Sequence, residues 1–195
     1  MKSLSRKAER LLNSLKVKGN DYKEQVSRID FDSLKPYYVK DFIQAKTSSE
    51  AKQQFVTLKD GVYKLSVPFH IESFDYFKNI DKEFAINILK SIAEKAKDNP
   101  KALKTIAYKL EEIGEFKNAK IIYQRLLSIR PLDEQSYRDL ALIYKENEDY
   151  DLAASLFDFM LNNKLKNVNM LGLQETVVNE AAHLYFTRLD KLTLT

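Results

Sequence analysis

The chain has 195 residues, enough for one or two domains, and its hydrophobic fraction of 44% is typical of a globular protein. It contains no cysteine, which excludes disulfides, thiolate nucleophiles and cysteine-based zinc sites. Its 32 Lys and Arg residues against 28 Asp and Glu residues give a net charge of +4, a mixed surface that disfavours nucleic acid as a partner.

Residues 1–19 are the first predicted element, a basic amphipathic helix that ends near Gly19. Its apolar positions share one helical face: Leu4, Ala8, Leu11, Leu12 and Leu15. Basic side chains surround that face: Lys2, Arg6, Lys7, Arg10, Lys16 and Lys18. We interpret it as a docking helix with a solvated basic face; the alternative is a helix that lies on an acidic membrane surface. No apolar run of a secretory signal follows the charges, no stretch approaches the ~20 apolar residues of a membrane span, and the compartment stays unknown.

Residues 20–65 are expected to form a less regular helical region. The predicted helices cover Ser33–Ala45 and Ser48–Leu58. The pair Asp60-Gly61 lies between two apolar runs and is also compatible with a β-hairpin. We favour a helix followed by a loop, since an isolated hairpin is only marginally stable.

Residues 66–167 contain a repeat with a period of 34. Copies at 100–133 and 134–167 align without a gap, and a degenerate copy precedes them at 66–99. The matched positions are small or aromatic: Ala107 with Ala141, Phe116 with Tyr150, Ala119 with Ala153, and Tyr123 with Phe157. Each copy carries two apolar stripes of helical spacing on either side of a turn, which contains Gly114 in the first full copy. This period is typical of the tetratricopeptide repeat, so we predict an all-α fold, a right-handed α–α solenoid of helical hairpins.

Residues 168–195 lack the small residues of a further copy. Gln174–Arg188 is predicted to be a single helix with a broad apolar face: Val177, Val178, Ala181, Ala182, Leu184 and Tyr185. A helix that differs from the repeats is expected to cap the C-terminal end of such a stack.

The run Arg130–Leu142 carries a more specific resemblance. Its motif residues are Arg130, Pro131, Gln135, Ser136, Tyr137, Arg138 and Asp139. The run resembles a segment of large bacterial proteins in which vault-protein inter-alpha-trypsin and von Willebrand factor A domains precede tetratricopeptide-like helices. The resemblance covers residues 66–165. It implies that this chain corresponds to the C-terminal region of such a protein, with an exported parent.

The sequence shows no catalytic or cofactor-binding constellation. The two histidines, His70 and His183, stand alone, and no Gly-rich phosphate loop, His-Glu-x-x-His or Gly-x-Ser-x-Gly motif is present. We therefore predict no enzyme activity, no small-molecule substrate, no cofactor and no metal site.

The predicted function is a protein-binding scaffold, because the first helix of each tetratricopeptide hairpin lines a concave groove. The candidate groove residues are the outward positions of these helices: Lys101, Lys104, Tyr108, Glu111, Gln135, Arg138, Leu142, Lys145, His70 and Phe74. Cations beside aromatic rings suit an extended peptide with carboxylate groups. The expected partner is a protein, a peptide or a neighbouring domain of the same parent chain.

Other interpretations stay open. Arg138 and Asp139 can instead hold neighbouring repeats together, and the lysines can be ordinary solvated surface. The domain can also be a structural spacer of a larger exported bacterial protein, or a weak nucleic-acid-binding helical repeat. The carboxylate clamp of chaperone-binding tetratricopeptide domains is not matched, since Tyr108 and Asp139 stand where that clamp has asparagines.

Overall fold

The computed structural model describes residues 37–162 and 172–193, which belong to two units, Met1–Gln44 and Ala45–Thr195. The first unit contains helix α1, Tyr37–Gln44. The second contains α2 (Ser48–Asp60), α3 (Val67–Phe77), α4 (Lys82–Lys95), α5 (Pro100–Glu112), α6 (Phe116–Ile129), α7 (Glu134–Glu146), α8 (Tyr150–Leu161) and α9 (Gln174–Thr193). All regular secondary structure in the described ranges is helical, which confirms the all-α prediction. The helix predicted at residues 1–19 lies outside the described residues.

The second unit is a stack of helical hairpins. Helices pack in consecutive pairs, α3 with α4, α5 with α6 and α7 with α8, and α9 packs against α8. We call α3, α5 and α7 the A helices, and α4, α6 and α8 the B helices. The B helices begin at Lys82, Phe116 and Tyr150, at intervals of 34 residues. The starts of these B helices follow the period of 34 found in the sequence, and the unit is a tetratricopeptide-type α–α solenoid.

Helix α2 continues the same period towards the N-terminus. It begins at Ser48, 34 residues before α4, and its buried Ala51 and Phe55 precede Ala85 and Leu89 of α4 by that interval. It therefore has the pattern of a B helix, within the region expected to be irregular. Helix α2 runs to Asp60 and is followed by a turn, so the helix interpretation is confirmed over the β-hairpin.

The turns inside the last two hairpins share one backbone conformation, with a left-handed residue in each. Gly114 has φ +74°, and Glu148, 34 residues later, has φ +64°. After each of these residues, the next amide donates back to the carbonyl oxygen of the residue five positions earlier, Leu110 or Tyr144, at 2.9 Å. In the second hairpin the left-handed residue is Glu148, which lies between Asn147 and Asp149. Only the glycine adopts this conformation without a steric cost.

The core depends on alanines at the repeat interval. Ala51, Ala85, Ala119 and Ala153 are all fully buried. A methyl side chain lets the backbones of neighbouring helices approach closely, and a larger side chain at the same place would have to displace the facing helix.

Ala119→Leu and Ala153→Leu should each lower the free energy of unfolding by roughly 1–3 kcal/mol, because the added carbons overpack a filled contact. Urea unfolding followed by circular dichroism measures the change. Ala154→Leu is the matched control, since Ala154 neighbours Ala153 on the same helix and is exposed. Equal stability of Ala153→Leu and Ala154→Leu would show that the alanine contact is not tight.

The apolar face of α9 is only half covered. Val177 and Leu184 are buried, as predicted, but Val178, Ala182 and Tyr185 are exposed. A helix that closed the end of the stack would turn polar side chains outward. Three residues of the predicted apolar face are therefore left exposed.

Candidate functional site

The candidate site is the helix-A face, formed by the outward side chains of α5 and α7 together with Glu180 of α9. Two ion pairs cross it. Lys104 of α5 donates to Asp139 of α7 at 2.8 Å, and Arg138 of α7 donates through Nε to Glu180 at 2.9 and 3.2 Å, with a further contact from its Nη2. The face therefore joins three helices that are distant in sequence.

Lys104 is held in a fixed position by its surroundings. Its ammonium group lies 5.6 Å from the centre of the Tyr108 ring, and its partner Asp139 is only 9% exposed. Asp139 also accepts from the Gln135 amide at 2.6 Å. Burial alone would lower the pKa of Lys104, but the hydrogen bond to Asp139 and the neighbouring Tyr108 outweigh it and raise that pKa. The lysine is a permanent cation whose charge is already balanced by a carboxylate.

Glu111 is bonded inward, towards its own hairpin. It accepts from the hydroxyl of the buried Tyr123 of α6. Burial raises the pKa of Glu111, and nearby Asp139 and Glu146 raise it further, although the bond from Tyr123 acts in the opposite direction. Burial, and then Glu111 itself, raises the pKa of Tyr123. This pair ties helix A to helix B, and the carboxylate is not directed at a ligand.

The other candidates on α5 and α7 are more accessible. Lys101 is exposed and has no ion pair within the described part of the chain, and Tyr108 is 50% exposed. Lys145 lies 3.7 Å from the carboxylate of its neighbour Glu146. Leu142 packs partly against the core of α8 and α9. Lys101 and Tyr108 are thus the candidates with the most surface left for a partner.

His70 and Phe74 were expected to face outward, and the structure contradicts this expectation. Both are fully buried in α3. The ring of Phe55 from α2 meets the His70 ring edge-on, with centroids 6.0 Å apart. Helix α2, whose B-helix pattern the sequence analysis missed, supplies this covering side chain. The signal was present in Ala51 and Phe55, one period before Ala85 and Leu89.

His70 is held neutral. Its Nδ1 donates to the Ser66 carbonyl oxygen at 2.8 Å, and its buried Nε2 has no hydrogen-bond partner. Burial lowers the pKa of His70 from its ordinary value of 6.5; the charges of Lys95 and Lys59 lower it further, while the Ser66 bond opposes the change.

Because the folded-state pKa of His70 is depressed, its neutral form favours folding above pH 6.5, and this contribution is lost as the pH falls below the unfolded-state value. His70→Phe keeps an aromatic ring beside Phe55 and removes the titrating group. The Ser66 carbonyl oxygen still accepts a hydrogen bond from the backbone amide of residue 70. The free energy of unfolding of the parent should therefore fall more steeply than that of the variant between about pH 7.5 and about pH 5.5. Urea titrations across this range measure both slopes, and equal slopes would refute the role of His70.

The run Arg130–Asp139 serves to form the α6–α7 turn and the start of α7. Arg130 lies 3.7 Å from Asp133, which also accepts from the Ser136 hydroxyl at 2.6 Å. The Tyr137 hydroxyl donates to the Pro131 carbonyl oxygen at 3.0 Å. Arg138 and Asp139 each pair with a side chain of another helix, which agrees with the interpretation that they join helices.

Further ion pairs join α3 to α5, and the sequence analysis did not identify them. Lys109 donates to Asp75 at 2.8 Å, and Lys78 bonds both Asp75, at 3.0 Å, and Glu112. Lys109 and Asp75 stand 34 residues apart, as do Lys78 and Glu112, so each links equivalent places in successive hairpins. Salt-bridge pairing at the repeat interval is the signal that could have found them.

The Arg138–Glu180 pair should contribute a coupling energy of about 1 kcal/mol, since its side chains are 24% and 21% exposed and its geometry is bidentate. A double-mutant cycle with Arg138→Ala and Glu180→Ala, followed by urea unfolding, measures it. The matched control is Arg188–Asp151, with exposures of 47% and 84%, whose coupling should be close to zero. Equal coupling in the two cycles would contradict a special role for Arg138.

Within the described ranges, no three His, Asp or Glu side chains are grouped closely enough to hold a metal ion. None of the helices described is long and apolar enough to cross a membrane.

The geometry and the repeat define this class of protein: an all-α helical repeat of the tetratricopeptide type. No protein-family model and no curated protein matches the chain. Among solved structures, the chain is similar to the crystal structure of MamA, with 16% sequence identity and a TM-score of 0.40. The match covers 74% of this chain and 91% of that one.

Proposed function

We propose that this protein is a non-catalytic scaffold that binds a polypeptide segment, from a partner or from a neighbouring domain, along the helix-A face. The observation that carries the proposal is Tyr108, an aromatic side chain that is half exposed although α5 has a complete buried face without it. An aromatic ring that the core does not need, set among fixed polar groups, is typical of a protein-binding surface.

The surroundings of Tyr108 indicate what the bound segment carries. Lys104 is neutralised by Asp139, so the accessible cation is Lys101, which is exposed and lies about two helical turns before Tyr108. A segment with an apolar side chain for the Tyr108 ring and a carboxylate for Lys101 complements both groups. The ion pairs around them hold the surface rigid, which reduces the entropy lost on binding.

Photocrosslinking tests the proposal directly. With p-benzoylphenylalanine in place of Tyr108, illumination in the native cell should give a discrete adduct, because a bound segment passes over this ring. The matched control carries the same group in place of Ile121 of α6, which is 60% exposed. Adding Lys101→Glu should reduce the adduct at position 108. Absence of an adduct at 108, or the same adduct at 121, would refute the proposal.

Charge reversal of Lys104 or Arg138 is a poorer test of binding. Each faces a carboxylate of the same molecule, so Lys104→Glu or Arg138→Glu would set two negative charges against each other and destabilise the fold. Lys101→Glu avoids this problem, because Lys101 is exposed.

The same ion pairs support a second candidate function, a structural spacer within a larger bacterial protein. Arg138, Lys104 and Lys109 all have partners inside the chain, as a stiff connector requires. The spacer does not need Tyr108 to be in contact with anything, so it predicts no adduct at position 108. Because these basic side chains are paired with carboxylates, they offer little continuous positive surface to a nucleic-acid backbone.

A further inference from the structure

Helix α2 meets the α3–α4 hairpin through one aromatic side chain, Phe55, which is 3% exposed. Its ring stacks on Phe69 of α3 with centroids 5.4 Å apart, and it meets Phe77 of α3 and Phe84 of α4 edge-on at 6.2 and 5.6 Å. A further ring of this cluster is His70, whose centroid lies 6.0 Å from that of Phe55 and 5.2 Å from that of Phe69. A titratable ring therefore lies inside the apolar contact that holds α2.

The rest of the attachment of α2 is weak. Lys52 bonds Asp81 at the start of α4, but the two side chains are 32% and 33% exposed, so the pair contributes little. Within the described residues, no other ion pair or side-chain hydrogen bond joins α2 to α3 or α4. Among the described helices, α2 also packs less extensively against its neighbours than the consecutive helices from α3 to α9 pack against each other. Separation of α2 therefore costs less free energy than separation of a helix inside the stack.

The closed contact between Phe55 and His70 opposes a charged imidazole. The His70 ring is fully buried, its Nδ1 bonds the Ser66 carbonyl oxygen at 2.8 Å, and its buried Nε2 has no hydrogen-bond partner. Protonation would add an N–H donor at Nε2 and a positive charge, with no acceptor for either in an aromatic contact. The charged form of His70 is therefore favoured only where water reaches the ring.

The charged groups around His70 also oppose its protonation. Burial is the largest cause of its lowered pKa, and the charges of Lys95 from α4 and Lys59 from α2 lower it further. No carboxylate in the described part of the chain bonds the ring. The other charged side chains that α3 and α5 bring together interact with one another: Glu72, Asp75, Lys78, Lys109 and Glu112.

We propose that α2 is an acid-released cover of the aromatic core: protonation of His70 at Nε2 displaces Phe55, and α2 separates from α3 and α4 while the later hairpins stay folded. Separation admits water to the charged imidazole and exposes the rings of Phe69 and Phe77. Because the open form binds one more proton than the closed form, its population rises as the pH falls below 6.5, the ordinary pKa of histidine. The release does not depend on a segment bound at Tyr108.

Single introduced thiols test the proposal, because the chain contains no cysteine of its own. Ala51→Cys reports on the buried face of α2, Ala119→Cys on the equivalent and equally buried place in α6, and Ala154→Cys is the exposed reference. Labelling with 4,4′-dithiodipyridine is followed from pH 7.5 to pH 5.5, and each rate is divided by the reference rate at the same pH. The ratio at position 51 should rise about tenfold over this range, since opening takes up one proton, and should exceed the ratio at position 119 at every pH.

His70→Phe separates the effect of the histidine from any general effect of acid. In this background the ratio at position 51 should not change with pH, because the ring at position 70 can no longer be charged. His70→Leu is the second variant, and circular dichroism checks that each variant is as helical as the parent. A parent ratio at position 51 that stays constant with pH, the same acid-dependent rise in a folded His70 variant, or equal ratios at positions 51 and 119 would overturn the proposal.

Discussion

The whole stack depends on a close approach of helices at four alanines, Ala51, Ala85, Ala119 and Ala153, all fully buried. Because the interval between them is constant, each alanine has the same place in its own helix. Contacts between successive B helices then recur, and a lysine of one helix reaches the acidic residue at the start of the next.

Several charged side chains of this protein form ion pairs with one another. Lys104, Lys109 and Arg138 would each count as a free cation in the composition, yet each lies against a carboxylate of another helix. The count of 32 Lys and Arg residues therefore overstates the cationic surface available to a partner. A binding surface on the A helices has to rely on Tyr108 and on shape more than on charge, which favours a polypeptide over nucleic acid.

The sequence predicted the features that are local and periodic, and it failed where a contact depended on a distant helix. Apolar spacing placed Ala119 and Tyr123 correctly, because helical periodicity alone decides which side of a helix is buried. The same spacing could not reveal that Arg138 meets Glu180, 42 residues away in a helix outside the repeat. His70 was wrongly predicted to be exposed for a related reason. The pattern of its own hairpin puts it on the outer face, but Phe55 of α2 covers it. Helix α2 was predicted as a helix, but its B-helix pattern was missed because Gln54 interrupts the apolar pattern that Ala51 and Phe55 begin.

The last B helix differs from the earlier ones on the side that meets the next B helix. Lys52 of α2, Lys82 of α4 and Lys120 of α6 each bond an acidic residue at the start of the B helix that follows. In α8 the residue one period after Lys120 is Ala154, and the residue two periods after Lys82 is Tyr150. Both line an apolar cleft together with α9, so within the described residues the charged contacts that join successive B helices end at α8.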